Sequence, residues 1–120
     1  MTTLRIAIVG SRKFSDEQAV RAFVRSLPST TVIVSGGAIG PDSWAESEAR
    51  LCGLRVSIFP ADWARYGKQA GFMRNVLLVD RADRIVAFWD QKSRGTQHTI
   101  ELARRSGKPC EVVLDPESGR

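Results

Sequence analysis

The feature that most narrows the folds open to this chain is an alternation. Short β-branched runs are each broken by glycine or proline and followed by apolar residues at helical spacing. Five runs read as strands: Arg5-Ile6-Ala7-Ile8-Val9, Thr31-Val32-Ile33-Val34, Val56-Ser57-Ile58-Phe59, Ile85-Val86-Ala87-Phe88-Trp89 and Cys110-Glu111-Val112-Val113-Leu114. The nearly continuous apolar character of the first predicts a strand covered on both faces. Val20, Phe23, Val24 and Leu27 fall on one helical face, with Ser15 and Gln18 placed as a capping box and Pro28 as the stop. A second helix is expected from Pro41 to about Leu51, ahead of Gly53. A third is expected from about Gly71 to Arg81, with Met73, Val76, Leu77 and Val79 as its apolar side. The polar stretch before it, through Tyr66 and Gly67, reads as loop. The last helix spans Thr96 to Ser106, before Gly107 and Pro109, and a frayed tail follows residue 114. Strands alternating with helices predict an α/β Rossmann-like three-layer sandwich around a five-stranded, mainly parallel sheet. The expected organisation is one domain over 1–120, with its core at about 5–114.

Composition bounds the partners. Apolar residues make up 42% and charged residues 26%, as in soluble globular proteins. No apolar run approaches the roughly 20 residues that cross a bilayer, and the first strand starts too early for a signal peptide. No membrane partner and a cytoplasmic setting are therefore expected. Cys52, Cys110 and the single histidine do not make a zinc-spaced set, so no metal is expected. A net charge of +5 favours anionic partners. The cations are spread, with Arg12-Lys13, Lys92 with Arg94 and Arg104-Arg105 the nearest to clusters, and nothing resembles a nucleic-acid-binding tail.

The position of the special residues points to a site. Gly10-Ser11-Arg12, Ser35-Gly36-Gly37-Ala38 with Gly40 and Asp42, and Lys92-Ser93-Arg94-Gly95-Thr96 each follow a predicted strand and precede a helix. In a parallel sheet such loops gather at the carboxyl edge, where open α/β sheets bind ligands. Glycines permit close backbone approach, helix N-termini offer unpaired N–H groups, and arginine grips phosphate. The spacing is neither G-x-G-x-x-G nor a Walker A loop. Asp42 reads equally as a helix cap or a ribose contact, and Asp62 and Asp90 as turn residues or ligand contacts. Trp44 and Trp89 read as core, whereas Trp63, in a polar loop, is placed to stack on a base. His98 reads as a capping or solvent-facing histidine before a general base. Arg74 and Asn75 lie beside apolar neighbours, where a solvated helix face is the default.

Several motifs together carry a resemblance. Ser35 to Ala38 with Gly40-Pro41-Asp42, Pro60-Ala61-Asp62-Trp63, Gly67-Lys68-Gln69-Ala70-Gly71, Met73-Arg74-Asn75, Ala87-Phe88-Trp89-Asp90 and Lys92 through Ile100 resemble the SLOG superfamily. The likeness is nearest to its small YspA-type, YpsA-related branch, over about residues 5 to 114. It implies a Rossmann-like fold whose glycine loops bind nucleotides or nucleotide-derived ligands, and a homodimer paired through helices. The related LOG phosphoribohydrolases cleave nucleoside monophosphates. Their arginine helix is similar to Met73-Arg74-Asn75, which would make Arg74 catalytic if this chain is an enzyme. Their catalytic glutamate stands three residues after a threonine, and here that position is Thr99. Threonine cannot supply the carboxylate that glycosidic cleavage requires; His98, Asp42 and Asp62 are the substitutes on offer. DNA-processing proteins of the DprA type share the superfamily.

The leading expectation is thus the binding or sensing of a small nucleotide-like phosphate ligand, ADP-ribose- or NAD-like or a nucleoside phosphate, with no other cofactor required. An N-glycosidase acting on nucleotides is the alternative, and a DprA-like DNA-binding protein the second alternative.

Overall fold

The computed structural model describes residues 3–117. Five strands, β1 (Arg5–Gly10), β2 (Val32–Ser35), β3 (Arg55–Ile58), β4 (Arg84–Trp89) and β5 (Cys110–Leu114), form one sheet in the order β3-β2-β1-β4-β5. Every pairing is parallel. The helices are α1 (Glu17–Arg25), α2 (Pro41–Leu51), α3 (Trp63–Tyr66), α4 (Ala70–Arg81) and α5 (Arg94–Arg105).

The period-2 alternation of the strands builds two cores from one sheet. Ile6 and Ile8 of β1 meet Val20 and Val24 of α1 and Ala45 and Ala49 of α2. Their neighbours Ala7 and Val9 point the other way, to Leu78 and Val79 of α4 and Ile100 and Ala103 of α5. On the first face Phe14 and Phe23 set their rings edge-on to Phe88, at 5.5 and 6.3 Å. The helices change face where the strand order reverses. From β1 the chain steps outward through β2 to β3, then returns past β1 to β4, as right-handed crossovers require. That reversal leaves a crevice at the carboxyl ends of the central strands.

Several local expectations are corrected. Ser15 does not cap α1. Asp16 does, accepting from the Ala19 amide at 3.1 Å. Ser15 instead gives both its amide and its hydroxyl to Asp115, which holds down the start of the tail expected to fray; residues 118–120 lie outside the described set. The stretch read as loop before α4 contains α3 and a 3-10 turn, Gly67–Gln69. α4 is rotated from its expected orientation. Ala70, Asn75, Leu78 and Val79 are buried, while Met73, Val76 and Leu77 are exposed and border a shallow apolar groove with Pro60 and Tyr66. Asn75 turns inward because three polar partners wait for it there. Trp44 and Trp89 are only partly buried against the two cores.

Gly10 is required by packing at the sheet's centre. A Cβ there would lie 2.5 Å from Pro41 Cγ and 2.9 Å from the Phe88 carbonyl oxygen. Gly95, at the start of α5, has nothing within 4 Å of the same position. Gly10→Ala is expected to lower stability in urea denaturation by about 1–3 kcal/mol. Gly95→Ala should be neutral or slightly stabilising, since alanine is the better helix former. Equal effects at the two sites would contradict this packing.

Candidate functional site

The loops after β1, β2, β3 and β4 surround a groove of about 560 Å³ at the carboxyl edge. The first loop contributes Gly10 and Arg12, and the second Gly36, Gly37, Ala38 and Ile39. The segment after β3 and α4 bring Trp63, Lys68, Phe72, Arg74 and Asn75. Ser93, Gly95, Thr96 and Thr99 come from the start of α5. One acid, Asp42, is among the lining residues.

The glycine loop after β2 turns its amides inward. Asp42 does not cap α2, whose first turn begins at Gly40 and Pro41. Its carboxylate reaches back to accept the Gly36 amide at 3.1 Å and the Ala38 amide at 3.4 Å. The Gly37 amide donates to Ser35 Oγ at 3.2 Å. These three amides are therefore engaged within the protein. Gly37 and Gly40 hold φ values of +71° and +96°, where glycine is favoured. A Cβ at Gly40 would also crowd the Ser11 and Arg12 carbonyl oxygens at 3.3 Å.

Arg74 and Asn75 join the two sides of the groove. Arg74 Nη1 donates to the Gly36 carbonyl at 2.8 Å and Nε to Asn75 Oδ1 at 3.1 Å. Asn75 Nδ2 donates to the Gly95 carbonyl at 3.2 Å and lies 3.3 Å from His98 Nδ1. A Cβ at Gly36 would stand 2.5 Å from Arg74 Nη1, so glycine at this position admits the guanidinium. His98 packs edge-on to Phe72 at 4.6 Å. Burial lowers its pKa, with Arg105 acting in the same sense and Glu101 against it, which favours the neutral ring.

The remaining expected site residues stand behind or outside the groove. Ser11 is buried; its hydroxyl accepts from the Asp90 amide at 3.0 Å and lies 3.4 Å from Thr96 Oγ1. Ser35 donates to Glu46. Asp90 closes the turn after β4 by accepting the Lys92 and Ser93 amides, both at 2.8 Å. Burial opposes its charge, but these amides and Ser11 hold its pKa below the usual range. Asp62 caps α3 through the Arg65 amide. Lys92 and Arg94 are exposed and absent from the lining, so of the loop cations only Arg12 faces the groove. Sequence reasoning missed Lys68, Phe72, Ile39 and Thr99. Lys68 lies between Gly67 and Gly71, where a cation between glycines in a polar stretch was the available signal. Thr99 donates to the Gly95 carbonyl at 3.2 Å.

Asp42 is 4% exposed, and burial raises its pKa from 3.8 to about 7. Arg74 and the two amides pull the other way, and Glu46 adds to the rise. The folded value exceeds the ordinary one of 3.8, so the stability this group contributes is complete below that value and is lost as pH rises through about 7. Asp42→Asn, which does not titrate, should therefore gain stability relative to the parent between about pH 5 and pH 8. Parallel denaturation midpoints across that range would contradict the assignment.

Comparison with known proteins places this chain among relatives. Residues 1–62 match the family model described as DNA recombination-mediator protein A. The Gene 61 protein of Mycobacterium phage D29 is 36% identical over 115 residues, covering 88% of this chain and 92% of the phage protein. DNA processing protein A from Helicobacter pylori, which binds single-stranded DNA, has a similar fold at a TM-score of 0.72 and 23% identity. The match covers 91% of this chain and 64% of that one. DNA processing protein A (DprA) from Streptococcus pneumoniae matches at a TM-score of 0.78 and 22% identity, over 92% of this chain and 50% of that one. The chain thus spans between half and just under two thirds of these two proteins.

Proposed function

The chain belongs to the DNA recombination-mediator protein A family, and from that membership and the chemistry of its groove we propose that it binds single-stranded nucleic acid. The observation that carries the reading is the meeting of exposed rings and cations on one groove. Trp63 is 60% exposed and Phe72 50%, beside Arg12 and Lys68. Aromatic faces accept unpaired bases and cations track the backbone, whereas a duplex keeps its base faces stacked inside. The first turn of α5, with Gly95 open to the groove, adds the positive end of a helix. The likeness to the Helicobacter pylori protein supports the same choice.

A second reading, a free nucleotide-derived ligand such as ADP-ribose, is favoured by the groove's volume of about 560 Å³, the size of a small-ligand pocket. The narrower placement beside YspA-type proteins belongs with that reading and rests on the residue motifs alone. The substitutes for a glycosidase carboxylate are all engaged: Asp42 with two amides, Asp62 as a cap and His98 Nδ1 beside Asn75.

Anisotropy of a labelled oligothymidine of about a dozen nucleotides tests the proposal. Trp63→Ala should weaken binding about 5- to 150-fold, the loss of one stacked base at about 1–3 kcal/mol. Lys68→Ala should weaken it and reduce the salt slope by about 0.7. Gly95→Glu should abolish binding with the fold intact, since its side chain meets no protein atom at Cβ. ADP-ribose binding without oligonucleotide binding would favour the second reading. Binding of neither overturns both.

A further inference from the structure

Asp42 is an odd residue to find in a site for a polyanion. It is the one acid among the lining residues, it is almost completely buried, and it occupies the place where an anion would be expected. The Gly36 and Ala38 amides converge on its Oδ2. The next amide of the same loop turns to Ser35, and Pro41, at the first position of α2, has no N–H to offer. A concavity of amides of the kind that holds phosphate is thus already filled by the protein's own carboxylate.

The neighbouring charges offset this only in part. Arg74 faces Asp42 from α4 and its charge favours the ionised carboxylate, while its guanidinium is fixed in place by the Gly36 carbonyl and Asn75. Glu46, on the helix that carries Asp42, adds a like charge. The positive groups that line the groove beside it are Arg12, Lys68, Arg74 and the open start of α5. A phosphodiester carries one negative charge, whereas a phosphomonoester carries about −1.5 to −2 at neutral pH. In a partly desolvated groove the extra charge meets a fixed carboxylate, and juxtaposed like charges act chiefly as a device for rejecting the wrong partner.

We propose that Asp42 is a specificity-determining residue that makes the groove select the phosphodiester of a strand interior over a terminal or free phosphomonoester. This rests on the nucleic-acid reading above and narrows it. The ligand class is then an internal stretch of single strand, and nucleoside monophosphates are poor occupants. The carboxylate acts through its charge, so the selection follows its ionisation, which burial places near neutrality.

The test uses two ligands that differ only at the phosphate: thymidine 5′-monophosphate and its monomethyl ester. Each is titrated against the labelled oligothymidine on the protein at about pH 8, where the monoester is a dianion. The methyl ester should displace the oligonucleotide at about tenfold lower concentration than the monophosphate, and in Asp42→Asn the difference should fall to within about twofold. Asparagine keeps an oxygen for the two amides, so the loop retains its acceptor. A second measurement needs no variant. The methyl ester does not titrate between about pH 6 and pH 8, so its own affinity for the parent protein should fall over that range as Asp42 ionises. Equal displacement by the two ligands, displacement by neither, or a preference that survives in Asp42→Asn overturns the proposal. Failure of the oligothymidine itself to bind is a different result, and overturns the nucleic-acid reading instead.

Discussion

The geometry of the groove depends on a relay of hydrogen bonds that crosses it. Arg74 holds the Gly36 carbonyl, Asn75 holds Arg74, and Asn75 also holds the Gly95 carbonyl. The loop after β2 and the first turn of α5 are thereby fixed by adjacent residues of one helix. Each bond is partly buried, where an unsatisfied partner costs more than a made bond contributes. The relay also sets the rotation of α4. With Asn75 inward, Leu78 and Val79 enter the core and Met73, Val76 and Leu77 are left outside.

The glycines around this relay serve distinct purposes. Gly10 and Gly36 make room for a proline ring and a guanidinium. Gly40 combines a positive φ with close approach to the loop after β1. Gly95 alone among these opens onto empty space. A glycine-rich loop in a sequence is thus weak evidence of an anion cradle, because the same residue answers to internal crowding.

Much of the fold was legible in the sequence. The five strands fall within a residue or two of their expected limits, and α2 ends where Gly53 announced it, because strand runs and helix stops are local signals. The gathering of glycine loops at one edge followed from parallel topology. What was not legible depended on distant partners. Ser15 looks like a cap until Asp115 is placed beside it, 100 residues away. Asn75 looks solvated until Gly95 and His98 are known to face it. Lys68 reaches the groove from a 3-10 turn that carries no strong periodicity, Phe72 reaches it from the first turn of α4 because that helix is rotated from its expected orientation, and Lys92 and Arg94 are exposed outside it.

The order of strands also has a kinetic side. β1 precedes the other described strands along the chain, yet one of its two neighbours is β4, so Ile8 must wait for Val86 before it is enclosed. The chain has to emerge from a ribosome as far as Trp89 before the central ladder can close. Pairings so distant along the chain put the loop-closure entropy early and the reward late, which slows folding. Until then the nascent chain carries an unsealed apolar strand, a state in which partner strands from other molecules compete with its own.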